Sequence, residues 1–483
     1  MSAQPANPAT PPDHVAIEIN GQATFAPKGS MIIQAADRLG IAIPRFCYHD
    51  KLPIAANCRM CMVEVEMGGK PMPKPQPACA TPVADGMKIS TQSQRALSAQ
   101  RNVMEFLLIN HPLDCPICDQ GGECELQDLS MGYGRSVSRF VERKRTIPDE
   151  DLGPLVETEM TRCIQCTRCV RVMAEVAGTY ELGGMERGER LQIGTYVGKP
   201  LMSELSGNVI DVCPVGALTN KAFRFKARAW ELIARESIGY HDALGSNLWL
   251  HTRRGEVLRT VPRDNEAINE CWLSDRDRYS HEGLQAADRA RRPLVKRNGA
   301  WAEVEWDEAL RVASETLQRV PRGQLGALVH PSTSTEEGSL LAALVRALGS
   351  DSIDHRLRAL DLSDRATALP FEMPVAEIEK ADLVVLVGCD PRTEVPLLAA
   401  RLRKAAKRGA KVHSIQCVGL DSTFTLASER VVTPSQLVDA ALGLAKATND
   451  AGHLPQSSEL AAAIAGLRAD EAASRLATAL AGA

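Results

Sequence analysis

The alternation of apolar and polar positions changes period several times along the chain, and each change marks a new element. Val15-Ala-Ile-Glu-Ile alternates with period two and runs into Asn20-Gly21 before Gln-Ala-Thr-Phe. These residues read as a β-hairpin closed by a type I′ turn. The pattern then becomes helical from Met31 to Leu39, with Ser30 as the expected cap and Gly40 as the stop. Met62-Val-Glu-Val-Glu restores alternation as a strand, and Ser93 to Asn110 is a longer helical run. That run has Leu97, Met104, Leu107 and Leu108 on one face and is ended by Pro112. Between 229 and 285, Asn247-Leu-Trp-Leu-His-Thr, a turn at Arg254-Gly255 and Glu-Val-Leu-Arg-Thr-Val predict a small β-rich module. From 286 onward the chain turns α/β. Leu325-Gly-Ala-Leu-Val-His and Ala381-Asp-Leu-Val-Val-Leu-Val-Gly read as buried strands, with Ser339 to Leu348 and Pro396 to Lys407 as helices. That pattern suggests a parallel sheet. The last thirty residues are Ala-rich and read as helical.

Cysteine positions change the picture more than any periodicity. Of 14 cysteines, eleven fall in three groups before residue 214: Cys47, Cys58, Cys61 and Cys79; Cys115, Cys118 and Cys124; Cys163, Cys166, Cys169 and Cys213. His111 stands where the second helix stops and the middle cysteine loop starts, giving His-x3-Cys-x2-Cys-x5-Cys. A lone histidine is more often structural than a ligand. Counted with the cysteines, however, it makes twelve donors in three sets of four, the number that three iron-sulfur clusters need.

The first set, Cys-x10-Cys-x2-Cys-x17-Cys, keeps the order of gaps of plant-type ferredoxins with a longer first loop, and predicts a [2Fe-2S] cluster. Zinc is the alternative, but zinc sites usually pair two tight arms and only one arm here is tight. Strand, strand, helix ahead of this set is the opening of a ferredoxin-like β-grasp domain. In the third set, Cys163-Ile-Gln-Cys166-Thr-Arg-Cys169 is followed after 43 residues by Cys213-Pro214. Bacterial two-cluster ferredoxins carry Cys-x2-Cys-x2-Cys-x3-Cys-Pro runs whose fourth cysteine serves the other cluster. Here Met173 replaces the fourth cysteine of one run, and Ser203, Ser206 and Val209 replace the first three of the other. What is left is one [4Fe-4S] set. In the middle set, imidazole in place of thiolate makes the cluster less negative and raises its potential. Gly121 and Gly122 allow close backbone approach there, or simply make a turn. Cys271, Cys389 and Cys417 are expected to be ordinary buried thiols. One cysteine in the 229 to 285 module gives no fourth cluster.

Composition narrows the class. The chain has 483 residues, 44% hydrophobic and 24% charged, with a formal net charge of -4. That is ordinary for a globular protein of several domains and gives no basic footprint for nucleic acid. Closely spaced cysteines in a long chain point to metal in a reducing compartment rather than to disulfides. No secretory signal and no run of about 18 apolar residues is present. Gly388-Cys-Asp-Pro-Arg and Gly194-Thr-Tyr-Val-Gly198-Lys199-Pro200 both miss the nucleotide-binding fingerprints. Neither run therefore equips this chain to take hydride from a dinucleotide by itself.

Taken in this order, with the His-led middle set and the Cys-Pro ending of the third, the three sets resemble the large iron-sulfur (G) subunit of respiratory NADH:quinone oxidoreductase, complex I. The resemblance covers 14–285 and extends more weakly through 286–483. It implies a multidomain α/β and α+β chain, with an N-terminal β-grasp ferredoxin-like domain, [4Fe-4S] ferredoxin-like domains and a C-terminal α/β domain similar to molybdopterin oxidoreductases. The expected boundaries are a disordered tail at 1–13, a [2Fe-2S] domain at 14–92, a [4Fe-4S] domain with one histidine and three cysteine ligands at 93–145 and a [4Fe-4S] ferredoxin-like domain at 146–228. A cluster-free module at 229–285 and a partial molybdopterin-oxidoreductase-like domain at 286–483 complete the chain.

By the same resemblance Cys47, Cys58, Cys61 and Cys79 hold one [2Fe-2S] cluster. His111, Cys115, Cys118 and Cys124 hold one [4Fe-4S] cluster, and Cys163, Cys166, Cys169 and Cys213 hold another; no residue is a general acid, base or nucleophile. The implied partners are a flavin- and NADH-binding subunit, other iron-sulfur subunits and a membrane arm, with the chain peripheral on the cytoplasmic face of the inner membrane. The FMN and the NADH site belong to the partner. Some members carry four more cysteines in the 229–280 module, and members usually continue well beyond this length. The equivalent subunit of an NAD-linked hydrogenase or formate dehydrogenase is similar through the cluster region and is the alternative. A zinc-stabilised scaffold without redox function is the third reading.

Overall fold

The computed structural model describes residues 11–355, 373–452, 454 and 458–482, so the tail expected at 1–13 lies outside the described residues up to position 10. β1 (His14–Ile19) buries alternate residues and turns through Asn20 and Gly21, both at positive φ, into β2 (Gln22–Pro27). α1 (Ile32–Arg38) follows, and its cap is Met31 rather than Ser30. The Ser30 hydroxyl instead donates to the Pro27 carbonyl at 2.7 Å, so it closes the end of the hairpin. Gln34 Oε1 accepts from the Met31 amide at 2.9 Å. Gly40, at φ 70, ends the helix in the left-handed region as expected. β3 (Met62–Met67), β4 (Lys70–Pro71), β5 (Gln76–Pro77) and β6 (Met87–Ser90) complete a mixed sheet of order β2-β1-β6-β3-β4, with β5 also on β3. Only the β1–β6 pairing is parallel. Ile17, Ile19, Ile32, Ile33, Val63, Val65 and Ile89 form its core, with Cys61 and Cys79 buried in the same cluster.

α2 (Gln94–Leu108) starts at a Ser93 cap that accepts from the Ala96 amide at 3.1 Å. Its buried face is Ala96, Gln100 and Met104, while Leu97, Leu107 and Leu108 are only half-buried. Gln100 turns inward because its Nε2 donates to the Met62 carbonyl at 2.9 Å, tying helix to sheet. α3 (Glu125–Tyr133) begins directly after Cys124. Next come β7 (Val156–Thr158), α4 (Arg168–Arg171, running on into a π-helical turn at Val172–Ala177), the β8 (Leu182–Met185)–β9 (Gln192–Thr195) hairpin, α5 (Asn208–Val212) and β10 (Leu218–Asn220). The antiparallel β7–β10 pair brings the chain ahead of Cys163 beside the chain after Cys213. A second apolar core runs beneath this region, including Phe46, Met60, Met104, Leu126, Met173, Val209, Val215 and Trp272.

β11 (Ile233–Ile238), β12 (Asn247–Arg253) and β13 (Glu256–Pro262) form an antiparallel meander whose second turn has Arg254 and Gly255 at positive φ. α6 (Asp275–Tyr279) packs beneath it, and β14 (Leu294–Arg297) and β15 (Ala300–Glu303) form a separate hairpin. The α/β region holds α7 (Trp306–Arg319), β16 (Ala327–Leu328), α8 (Thr335–Ala347), β17 (Ile353–Asp354), β18 (Leu383–Val387), α9 (Pro391–Glu394), α10 (Pro396–Arg408), β19 (Lys411–Gln416) and β20 (Ser428–Val431). α11 (Pro434–Asp450), α12 (Ser458–Ile464) and α13 (Glu471–Ala481) follow.

β18, β19 and β20 are parallel. The buried strand expected at Leu325–His330 is reduced to two residues paired only with β17, and Leu328 is 70% exposed. Apolar content predicted burial there, but among the described residues this ribbon pairs with no strand of the larger sheet. Cys271, Cys389 and Cys417 are half-buried rather than buried.

Candidate metal centres

Two of the three cysteine sets are built on tight Cys-x2-Cys turns in which non-glycine residues take left-handed backbone conformations. Arg59 lies between Cys58 and Cys61 at φ 59, Gln165 between Cys163 and Cys166 at φ 56, and Thr167 between Cys166 and Cys169 at φ 59. Side chains other than glycine rarely occupy this region, and such residues cluster at functional sites. Alternating right- and left-handed residues turn successive amides toward one concavity, a nest suited to an anion. The Gln165 amide accordingly donates to the Cys163 sulfur at 3.3 Å.

In the first set Cys47, Cys61 and Cys79 are buried and Cys58 is half-buried. The Cys47 amide donates to the Cys58 sulfur at 3.4 Å. Hydrogen bonds from Cys58 and Cys79 drive the Cys47 thiol down to about 2. The bond to Cys47 conversely holds the proton on Cys58. Four sulfurs this close cannot all be thiolates without a cationic centre among them.

The third set is gathered around one enclosed space. Cys163, Cys166, Cys169 and Cys213 line one small cavity with Met160, Ile164, Ile193 and Val215. Burial pushes Cys163 and Cys213 up to about 11 and Cys166 up to about 12, and it raises Cys169 well above the ordinary thiol value. Such thiols give up their protons only to a metal.

In the middle set the loop after α2 coils on itself. Asp114 O accepts from the amides of Ile117 and Cys118 at 2.9 and 2.8 Å, and Cys118 O accepts from Gly121 at 3.0 Å. Cys115 is exposed, Cys118 buried and Cys124 half-buried. A Cβ on Gly122, itself at φ 97, would run into the Trp230 ring, so close approach requires a glycine there, whereas one on Gly121 would meet the movable end of Arg228 and crowd the Cys115 and Cys118 carbonyls. A Cβ on Gly216 would overlap the Cys118 sulfur, and Cys124 Sγ lies 3.8 Å from the Pro214 carbonyl. The middle and third sets thus share a wall. The His111 imidazole lies among Lys144, Arg162 and Asp114; burial first, then the two cations, holds it down to about 4, hence neutral near pH 7. Its Nδ1 is buried and makes no hydrogen bond.

Family models match in the order that the sets occur. A 2Fe-2S iron-sulfur cluster binding domain matches 13–94, and the NADH-ubiquinone oxidoreductase-G iron-sulfur binding region matches 100–139. The ferredoxin-like domain of NADH-quinone oxidoreductase subunit 3 matches 153–219. An NADH-ubiquinone oxidoreductase NDSU1/NuoG-like 4Fe-4S domain matches 232–282, and a molybdopterin oxidoreductase model matches 289–453. The G subunit of NADH-quinone oxidoreductase from Rickettsia conorii is 46% identical over 80% of this chain and 57% of its own length. The mitochondrial NADH dehydrogenase [ubiquinone] iron-sulfur protein 1 of Solanum tuberosum is 45% identical over 90% of this chain and 58% of its own. Through these matches the chain is similar, over most of its length, to the large iron-sulfur (G) subunits of NADH-quinone oxidoreductase.

The chain spans 57 to 58% of the length of these two relatives. A chain of a solved NAD+-reducing [NiFe]-hydrogenase is also similar, 27% identical over 44% of this chain and 90% of that one. The TM-score of that match is 0.40. The module at 232–282, matched by a family 4Fe-4S domain, contains a single cysteine, Cys271.

The donors fit the clusters that these domains bind. Among the described residues no three His, Cys, Asp or Glu side chains are arranged around a single ion, whereas a cluster spreads its ligands over the corners of a cage. Nests, clustered sulfurs and the orphaned His111 Nδ1 all suit an anionic, sulfur-ligated group. Sequence reasoning missed the cations that face these sulfurs. Arg162 Nε donates to Asp114 at 3.0 Å, and Nη1 to the Gly216 carbonyl at 3.4 Å. Arg171 Nη2 donates to both the Cys47 and Cys166 carbonyls, at 2.5 and 3.1 Å. The signal was present in Cys166-Thr-Arg168-Cys169-Val-Arg171, where arginines alternate with ligands.

Proposed function

We propose that this chain is an electron-transfer subunit of an NADH:quinone oxidoreductase. It would hold one [2Fe-2S] cluster on Cys47, Cys58, Cys61 and Cys79. One [4Fe-4S] cluster would sit on His111, Cys115, Cys118 and Cys124, and another on Cys163, Cys166, Cys169 and Cys213. When bound, these groups supply one-electron storage. The protein's own part is to fix donors, bury them and surround them with charge.

One observation carries the reading: the third set lies between the other two. Cys47 is tied to Cys166 through Arg171, and Asn57 Nδ2 donates to the Gln165 carbonyl at 3.2 Å. On the other side Gly216 and Pro214 lean on Cys118 and Cys124. The route through the chain then runs from the first set through the third to the middle set, or the reverse. Flavin and NADH belong to a partner subunit, further iron-sulfur subunits and a membrane arm take the electrons on toward quinone, and proton translocation is a property of the whole complex. The place of the chain in that complex is peripheral, on the cytoplasmic face of the inner membrane. No helix among the described residues is long and apolar enough to cross a membrane.

Anaerobic purification followed by iron and acid-labile sulfide analysis tests the cluster content. One two-iron and two four-iron centres give about ten irons per chain. Two or three zincs without sulfide would end this reading.

A further inference from the structure

We infer that Arg168 is the positioning residue that sets the spacing and the potentials of all three sites. The inference rests on the cluster reading above. Arg168 lies on α4 between Cys166 and Cys169, with its side chain 6% exposed. Nη2 donates to the Tyr48 carbonyl at 2.9 Å. Nη1 donates to Glu125 Oε1 at 2.8 Å and to the Val212 carbonyl at 3.3 Å. Tyr48, Glu125 and Val212 are the chain neighbours of Cys47, Cys124 and Cys213. A single guanidinium therefore touches the residue beside a ligand in each of the three sets.

The chemistry of the fork explains why arginine stands there. Its donors lie in one rigid plane, so three acceptors bound to it cannot drift independently. A lysine ammonium keeps the charge but not the fixed angles. Arg171 adds a second strap between the first and third sets. No comparable guanidinium contact among those described reaches all three. A buried positive charge also favours the reduced, more negative state of each neighbouring site and so raises its potential. Arg168 Nε is buried and without a protein partner, which leaves one more donor facing this region. In each hop one electron leaves the donor site and one arrives at the acceptor; no bond or proton moves. Reduced flavin supplies the electrons and quinone removes them.

The test uses the full chain carrying its clusters, with Arg168→Gln, Arg168→Lys and Glu125→Gln compared with the parent. Iron and sulfide are counted, each centre is titrated by EPR, and distances between reduced centres are measured by pulsed EPR. Arg168→Gln is expected to shift all three midpoint potentials downward. Arg168→Lys is expected to keep the potentials near the parent's while broadening the distances between centres. Glu125→Gln, which removes the charge and so weakens one prong only, should broaden the distance between middle and third centres and leave first-to-third unchanged. Fully loaded Arg168→Gln with unchanged potentials and distances overturns the inference. If that variant does not load, unchanged distances in both Arg168→Lys and Glu125→Gln overturn it instead. A parent chain without iron or sulfide overturns the cluster reading itself, which separates the two failures.

Discussion

Arg278 and Asp211 meet in a two-pronged ion pair, with Nη1 3.0 Å from Oδ1 and Nη2 against Oδ2. Asp211 lies on α5, two residues before Cys213, and Arg278 on α6 beneath the β-meander, so the pair couples the segment that bears Cys213 to the meander module. The arginine side chain is 1% exposed and the aspartate 21%. Removing one partner of a buried pair costs about 3–5 kcal/mol, and the partly open aspartate puts this pair at the lower end. Arg278→Met is therefore expected to lower stability by about 3 kcal/mol and to loosen the Cys213 corner of the third site. Denaturant unfolding together with iron content checks it. Unaltered stability with full iron would show that the pair holds nothing.

Gly216 presses against the Cys118 sulfur with no room for a Cβ. Gly216→Ala is expected to displace that sulfur, with an overpacking cost of about 1–3 kcal/mol. The middle four-iron EPR signal should be lost or broadened while the two-iron signal persists. An intact middle signal would mean that the wall between the two sites gives way without cost to the donors.

His111 carries a different expectation. Its imidazole is held neutral by burial and has a free Nδ1, as a ligand needs. His111→Cys should retain a cluster at lower potential, and His111→Ala should lose it or leave it labile. The same EPR spectrum and midpoint in both variants would remove His111 from the donor set.

His251 allows a pH prediction away from the donors. Burial and then Arg259, whose Nε donates to His251 Nδ1 at 3.0 Å, hold it down to about 4. The ordinary value is about 6.5, so the unfolded chain binds the proton more readily. Its stabilisation is present above about 6.5 and is lost as pH falls from there toward 4. His251→Gln keeps an acceptor for Arg259 but cannot titrate, and should flatten that part of the loss. Thermal melts at pH 7 and pH 5 decide it, since parallel curves for parent and variant would exclude the titration.

Much of the site was legible because its signals are local. The Cys-x2-Cys turns at Cys58–Cys61 and Cys163–Cys169 need only neighbouring residues to form their nests, and the spacing records that directly. The Asn20-Gly21 hairpin and the Gly40 helix stop are equally local and stand where the pattern placed them. Misplaced features depended on distant partners. Ser30 was available as a cap but turned to Pro27, and Leu325–His330 had strand composition without a sheet beside it.

By itself, then, the sequence singled out the candidate donors and proposed their division into fours, since thiolate chemistry and short spacing are properties of adjacent residues. Only the tertiary structure decided that Cys163, Cys166, Cys169 and Cys213 stand between the other two sets, and that Arg168 and Arg171 tie them together. Order and spacing come from packing among segments that lie 43 to 124 positions apart in the chain, and such contacts form only when a shared core makes their closure favourable.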